Sequence, residues 1–247
     1  MPVYSIHFGV FPKKNMSIQK IKPLSLLIPL ALLILACRFT SSPPTATPRS
    51  TRTPGPTPTV KFINPPRSIF PSPNGRELGD VHAPVLVEVF SDFQCPACRQ
   101  YATEVEPQII QQYTASGKVH LIHRHFPFLG DESFQAAYAS MCAVEHNLFW
   151  EYHDLLFANW DGENQGTFSR EKLLAFANVI GLDMGAFSTC LDSKSYQSAI
   201  DEDLAVGNSK GGNSMPSVFV NGELITSGHI PGIKDIQKAI DEALGQP

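Results

Sequence analysis

"VLVEVFSDFQCPACRQYA", Val85 to Ala102, decides how the chain folds. Its first six residues place apolar and β-branched side chains on both alternating faces, the pattern of a strand covered on both sides. Two residues separate Cys95 from Cys98. Pro96 stands directly after Cys95, where a fixed φ and a missing N–H suit the first position of a helix. Tyr101, Val105 and Ile109 then recur at helical spacing. The stretch reads as a buried strand that runs into a helix capped by Cys95. Unpaired N–H groups and the macrodipole at such a helix start favour a thiolate over a thiol. The pair can hold a zinc ion, staple the fold or exchange electrons with another disulfide.

Zinc requires two further ligands, usually at short spacing. Cys142 and Cys190 stand alone, and Cys95 and Cys98 lie at a strand-to-helix junction rather than in a hairpin turn. His120, His123 and His125 cluster in "KVHLIHRHF", Lys118 to Phe126, a second strand whose alternation puts His123 and His125 on the face of Val119 and Leu121. Two histidines at that spacing can bind a metal, but no carboxylate or cysteine follows at ligand spacing. They read as half-buried strand residues, and His146 and His153 as helix residues. No metal site is expected.

Toward the C-terminus, Ser133 to about Val206 reads as a long helical region. "SVFVNGELITSG", Ser217 to Gly228, reads as a hairpin around Asn221-Gly222, a dipeptide suited to positive φ at both turn positions. Ile233, Ile236, Ile240 and Leu244 mark a last helix. The order is strand, helix, strand, helical insertion, two hairpin strands, helix.

Toward the N-terminus, "PLSLLIPLALLILA", Pro23 to Ala36, is uncharged and follows Lys13, Lys14, Lys20 and Lys22. It is shorter than the roughly 20 apolar residues of a membrane span and fits the apolar part of a secretory signal over residues 1–36. Met16 offers an alternative start, whose "MSIQKIK" makes a conventional basic leader. Cys37 closes the run behind "ILA" in a pattern that resembles the lipobox of bacterial lipoproteins, with Ile34 and Leu35 departing from its usual residues. Lipidation at Cys37 is expected, with simple cleavage or an uncleaved anchor as alternatives. Residues 37–66, rich in Pro, Thr and Ser, can bury almost nothing and read as an extended tether. Residues 67–247 form the folded domain, with the helical insertion at about 131–210.

The chain has 247 residues and a formal charge of −4, with no basic excess for nucleic acid. Of its five cysteines, four remain once Cys37 is set aside. Disulfides persist outside the cytosol. Cys142 shares a helical face with Phe134 and Tyr138, and Cys190 one with Phe187 and Leu191, so both point to a core. A bridge between them is expected, with two buried free thiols as the alternative. Glu88 shares a strand face with Leu86 and Phe90, where an unpaired carboxylate is costly. It reads either as a proton relay for the cysteines or as half of an ion pair with an unseen lysine.

Three segments carry a resemblance: "FSDFQCPAC" (residues 90–98), "FWEYHDLLF" (149–157) and "MPSVFVNG" (215–222). Together they resemble the DsbA-like thioredoxin-fold family of thiol:disulfide oxidoreductases, over about Leu78 to the C-terminus. The resemblance implies an α/β thioredoxin fold with an inserted helical subdomain. It also implies a redox pair in which Cys95 is the exposed nucleophile and Cys98 its buried partner, and a cis proline at Pro216 facing them. Met215 departs from the small or β-branched residue often found there. Its backbone would hold an extended client peptide by strand addition, next to Pro96 and Ala97. An acidic residue occupies the position of Glu88 in the family as well.

Such exchange requires no cofactor. Its expected partners are exported proteins with free thiols and a quinone-linked membrane protein that removes electrons. Association with the membrane is through the lipid anchor, and a monomer is expected. Strongly oxidising members carry histidine where Ala97 stands, so a milder oxidant is expected. The alternatives are a disulfide reductase or isomerase, or a tethered lipoprotein that holds peptides without catalysis.

Overall fold

The computed structural model describes Lys61 and residues 75–245. The expected signal segment, the alternative start at Met16, Cys37 and, apart from Lys61, the expected tether lie outside the described residues. Among the described residues no helix is long and apolar enough to cross a membrane.

Strand β1 (Glu77–Leu78) precedes β2 (Val85–Ser91), which leads into α1 (Pro96–Gln100). The helix continues through a π-helical turn (Tyr101–Val105), α2 (Glu106–Ile109) and a second π-helical turn (Ile110–Thr114). Pro107 explains the first widening. It has no N–H to donate and its ring crowds the carbonyl four residues back, and just before it the Glu106 N–H reaches the Tyr101 carbonyl, five residues back. The uninterrupted helical spacing of Tyr101, Val105 and Ile109 hid this irregularity, yet all three residues still reach the core.

After β3 (Val119–His125) come five helices: α3 (Asp131–Val144), α4 (Phe149–Ala158), α5 (Arg170–Val179), α6 (Met184–Ser193) and α7 (Gln197–Ser209). The hairpin of β4 (Ser217–Val220) and β5 (Glu223–Ser227) and the helix α8 (Ile233–Ala243) follow. Asn221 and Gly222 have φ of 47° and 82°, the left-handed pair that a two-residue hairpin needs.

The five strands order as β1-β3-β2-β4-β5. β2 and β3 run parallel, with Val87 opposite Leu121, and β4 lies antiparallel on the other side of β2. This places β2 at the centre, so its end, where Cys95 follows, opens in the middle of the sheet edge. On one face Val85, Val87, Val89, Val119, Leu121 and Val218 pack with Tyr101, Ile109, Ile236 and Ile240. On the other, Phe90 and Phe219 join the core of the helical insertion. α7 lies close there because Gly207 lacks a side chain: a Cβ at that position would stand 2.9 Å from the rings of Phe90 and Phe126.

The expected element order is present. β1 is additional and pairs antiparallel with β3 through two residues only, too few for an alternating pattern to be read. The architecture is a thioredoxin fold with a helical subdomain inserted between β3 and β4.

Candidate active site

β2 ends in a turn that delivers Cys95 to the start of α1. The Cys95 N–H donates to the Asp92 carbonyl at 3.1 Å, and the Gln94 N–H donates to Asp92 Oδ1 at 2.8 Å. Cys95 is the N-cap, with extended backbone, and Pro96 takes the first helical position. Cys95 Sγ accepts from the Cys98 N–H at 3.4 Å and lies 3.6 Å from the Met215 carbonyl oxygen. The Met215–Pro216 peptide is cis, and β4 begins at the next residue. Cys95, Cys98, Pro96, Ala97, Met215 and Pro216 are thus brought into one site.

Both cysteines are free thiols. The expectation of an exposed Cys95 needs correction: it is 5% exposed and Cys98 is fully buried. Met215, itself buried, covers the sulfur through its carbonyl. Pro96 is the exposed residue of the motif and Ala97 is half-buried.

The two thiols differ electrostatically. The Cys98 thiol donates to Cys95 Sγ and is the main influence holding the Cys95 pKa below the ordinary thiol value, against the opposing effect of burial. The N–H groups of Cys98 and Ala97 act in the same direction, and the Asp92 charge opposes them. Burial pushes the Cys98 thiol well above the ordinary range, and its neighbour's charge adds to this. One proton therefore leaves readily and one is held, as an asymmetric attack on a disulfide requires.

The turn is braced by polar residues that the sequence did not single out. Asp92 Oδ2 accepts from the N–H groups of Phe128 at 2.8 Å and Leu129 at 3.1 Å. Gln94, fully buried, donates to the Leu129 carbonyl, Ser133 Oγ and Asn164 Oδ1. Its side-chain oxygen accepts from the Asn164 N–H at 2.6 Å, and its backbone carbonyl accepts from Trp160 Nε1 at 2.8 Å. Buried polar groups need partners. A buried strand followed at once by Asp92 and Gln94 signals such partners without naming them.

Glu88 is buried at 3% exposure and belongs to an ionic network. Arg124 donates to Oε1 from Nε and Nη2 at 3.2 and 3.1 Å, and Lys210 pairs with Oε2. Arg124 also bonds Asp203 at 3.1 Å, which pairs with Arg76. This arrangement matches the ion-pair reading. Both carboxylate oxygens are engaged by these cations. The lysine lies 122 residues away in sequence.

His123 and His125 are buried rather than half-buried, in an aromatic cluster with His153, Phe93 and Phe149. His120 pairs with Glu77 at 2.7 Å. Among the described residues no group of three or more histidines, cysteines or acids is disposed to hold a metal ion. Cys142 and Cys190 are joined in a disulfide between α3 and α6.

A family model described as Thioredoxin matches residues 72–242. A probable disulfide bond formation protein D of Bacillus cereus is 31% identical over 173 residues, covering 68% of this chain and 78% of that protein. Disulfide bond formation protein D of Bacillus subtilis is 25% identical over 170 residues, covering 68% and 76%. Among solved structures, oxidised BdbD of B. subtilis matches with a TM-score of 0.64 at 24% identity, over 71% of this chain and 96% of that one. Wolbachia pipientis alpha-DsbA1 matches with a TM-score of 0.60 at 26% identity, over 72% and 94%. With the paired cysteines at the N-terminus of α1, these matches show that the chain belongs to the DsbA-like thioredoxin-fold family of thiol:disulfide oxidoreductases.

Proposed function

We propose that the protein forms disulfides in exported proteins outside the cytosol, tethered to the membrane through Cys37. The observation that carries this reading is the asymmetry of the thiols: Cys95 caps the helix with its pKa lowered, while Cys98 is buried and held protonated. In the oxidising direction a client thiolate attacks Cys95 Sγ of the enzyme disulfide, forming a mixed disulfide and releasing Cys98 as leaving group. A second client thiolate then attacks the client sulfur of the mixed disulfide and expels Cys95 as a thiolate. The stabilised thiolate is the better leaving group, so the site favours giving its disulfide away.

Met215 and Pro216 present the backbone beside Cys95 that an extended client would pair with, and Pro96 and Ala97 form the outer rim. The Ala97 side chain supplies no donor or positive charge to the thiolate beyond its backbone N–H, which makes the enzyme a mild oxidant. Regeneration falls to a quinone-linked membrane protein that accepts the two electrons. Glu88 is assigned a structural part, holding β2 to β3 and α7.

Oxidation of a reduced client peptide by the full chain, beside Cys95→Ser, tests this. The wild type should form the client disulfide with transient mixed disulfide, and the variant should lose at least about 10³-fold in rate, the scale on which nucleophile removal acts in other enzymes. Activity that persists in the variant contradicts the reading. Faster reduction of insulin than oxidation of the client reverses the direction.

A further inference from the structure

Two buried carboxylates stand close in sequence to the cysteine pair, and they differ in their counter-charges. Glu88 is neutralised by Arg124 and Lys210. Asp92 is 2% exposed and, among the described residues, pairs with no cation: its oxygens are held by the N–H groups of Gln94, Phe128 and Leu129 and by the Ser133 hydroxyl. Dipoles orient a carboxylate but leave its net charge in place. The field of Glu88 is largely cancelled at a distance, whereas that of Asp92 is not. Asp92 also opens the turn that ends at Cys95, through the bond from the Cys95 N–H to its carbonyl.

We propose that Asp92 sets the oxidising strength of the site: its uncompensated charge opposes the Cys95 thiolate and holds the enzyme at a lower reduction potential than the helix cap alone would give. The proposal deepens the proposed function and rests on Cys95 being the sulfur that carries charge in the reduced form. The balance of the step makes the sign definite. A client dithiol gives two electrons to the Cys95–Cys98 disulfide, and the products are the client disulfide, a Cys95 thiolate, a Cys98 thiol and one released proton. Reduction thus adds one negative charge to the site, on Cys95. A fixed negative charge nearby raises the energy of that product and leaves the neutral disulfide untouched.

Burial raises the Asp92 pKa, and its backbone and hydroxyl donors, which favour the ionised form, oppose that rise. Asp92 therefore acts through Cys95 rather than on the client. It positions charge as well as chain, because the same oxygens brace the turn against the loop after β3. A purely structural role and an electrostatic one predict opposite signs. Losing the brace frays the helix cap and raises the Cys95 pKa, whereas removing the charge lowers it.

The test is the full chain with Asp92→Asn, reduced and titrated by thiolate absorbance, and equilibrated with glutathione. The expected result is a Cys95 that ionises at lower pH and a dithiol–disulfide equilibrium shifted about fivefold toward the reduced form, an order-of-magnitude figure for one partly screened nearby charge. Fivefold corresponds to about 20 mV for the two-electron couple. An unchanged or raised Cys95 pKa overturns the proposal. Because the variant can lose the brace and with it the fold, the wild type supplies a second reading. The Asp92 carboxyl carbon resonance should move as Cys95 titrates in the reduced protein, since coupling between two sites is reciprocal, and a resonance that does not move also overturns it. Both readings follow the thiol itself, so they stand apart from whether Cys95→Ser abolishes client oxidation.

Discussion

The described residues hold two pairs of cysteines, and their surroundings give them opposite chemistry. Cys95 and Cys98 are three residues apart, at a helix start where backbone N–H groups converge on sulfur. They are free thiols, poised to exchange. Cys142 and Cys190 are 48 residues apart and bonded, and they sit among side chains such as Ala139 and Phe187 in the insertion core. Burial does not distinguish the pairs, since Cys95 and Cys190 are almost equally covered at 5% and 7% exposure. Polar neighbours do. One sulfur has donors that stabilise its thiolate, and the other pair closes a long loop in apolar surroundings.

The largest effect expected from breaking this comparison is on stability. Cys142→Ala with Cys190→Ala frees a loop of about 49 residues in the unfolded chain, which costs about 4 kcal/mol in the chain-entropy model. Denaturant unfolding should show that loss, while client oxidation by the folded variant stays close to wild type. A variant that keeps its stability but loses exchange activity would make the insertion pair part of the redox site.

A smaller effect separates the sites by pH. His125 lies beneath the active-site turn beside Phe93, and its pKa is held well below the ordinary imidazole value by burial, then by the charges of Arg76 and His153. The unfolded chain, with a histidine pKa of about 6.5, therefore binds the proton more readily than the folded one. The contribution of neutral His125 is present above about pH 6.5 and is lost as pH falls from there to the folded pKa, at up to about 1.4 kcal/mol per pH unit. Unfolding midpoints between pH 7 and 5 should decline accordingly, and His125→Phe should flatten part of the slope. An unchanged slope in that variant would assign the acid sensitivity elsewhere.

Much of the site was legible because its determinants are local. "VLVEVF", Cys95 and Pro96 specify a buried strand, a cap and a first helical residue within a dozen positions, and Asn221-Gly222 specifies its turn within two. What escaped depends on distant partners. Gln94 meets Trp160 and Asn164 from 66 and 70 residues away, and Glu88 finds Arg124 and Lys210 at 36 and 122. Burial of Glu88 followed from strand alternation and an ion pair with a lysine was one of its two readings, but which residues neutralise it could not be read. The long helical region read from Ser133 to about Val206 is divided where Asn147 and Lys194 adopt positive φ and where the segment 159–169 supplies the braces for Gln94. Pro107 was visible, but a widened turn was not, because the apolar spacing survives it.

Cys95 alone carries the thiolate of the reduced site, and pH titration of the fully reduced protein checks this. Thiolate absorbance should be recorded with alkylation and peptide mapping at each pH. A single thiolate should form below the ordinary thiol value of about 8.5, mapped to Cys95, with Cys98 unreacted until well above it. Ionisation of Cys98 first, or of both sulfurs together near the ordinary value, would contradict it.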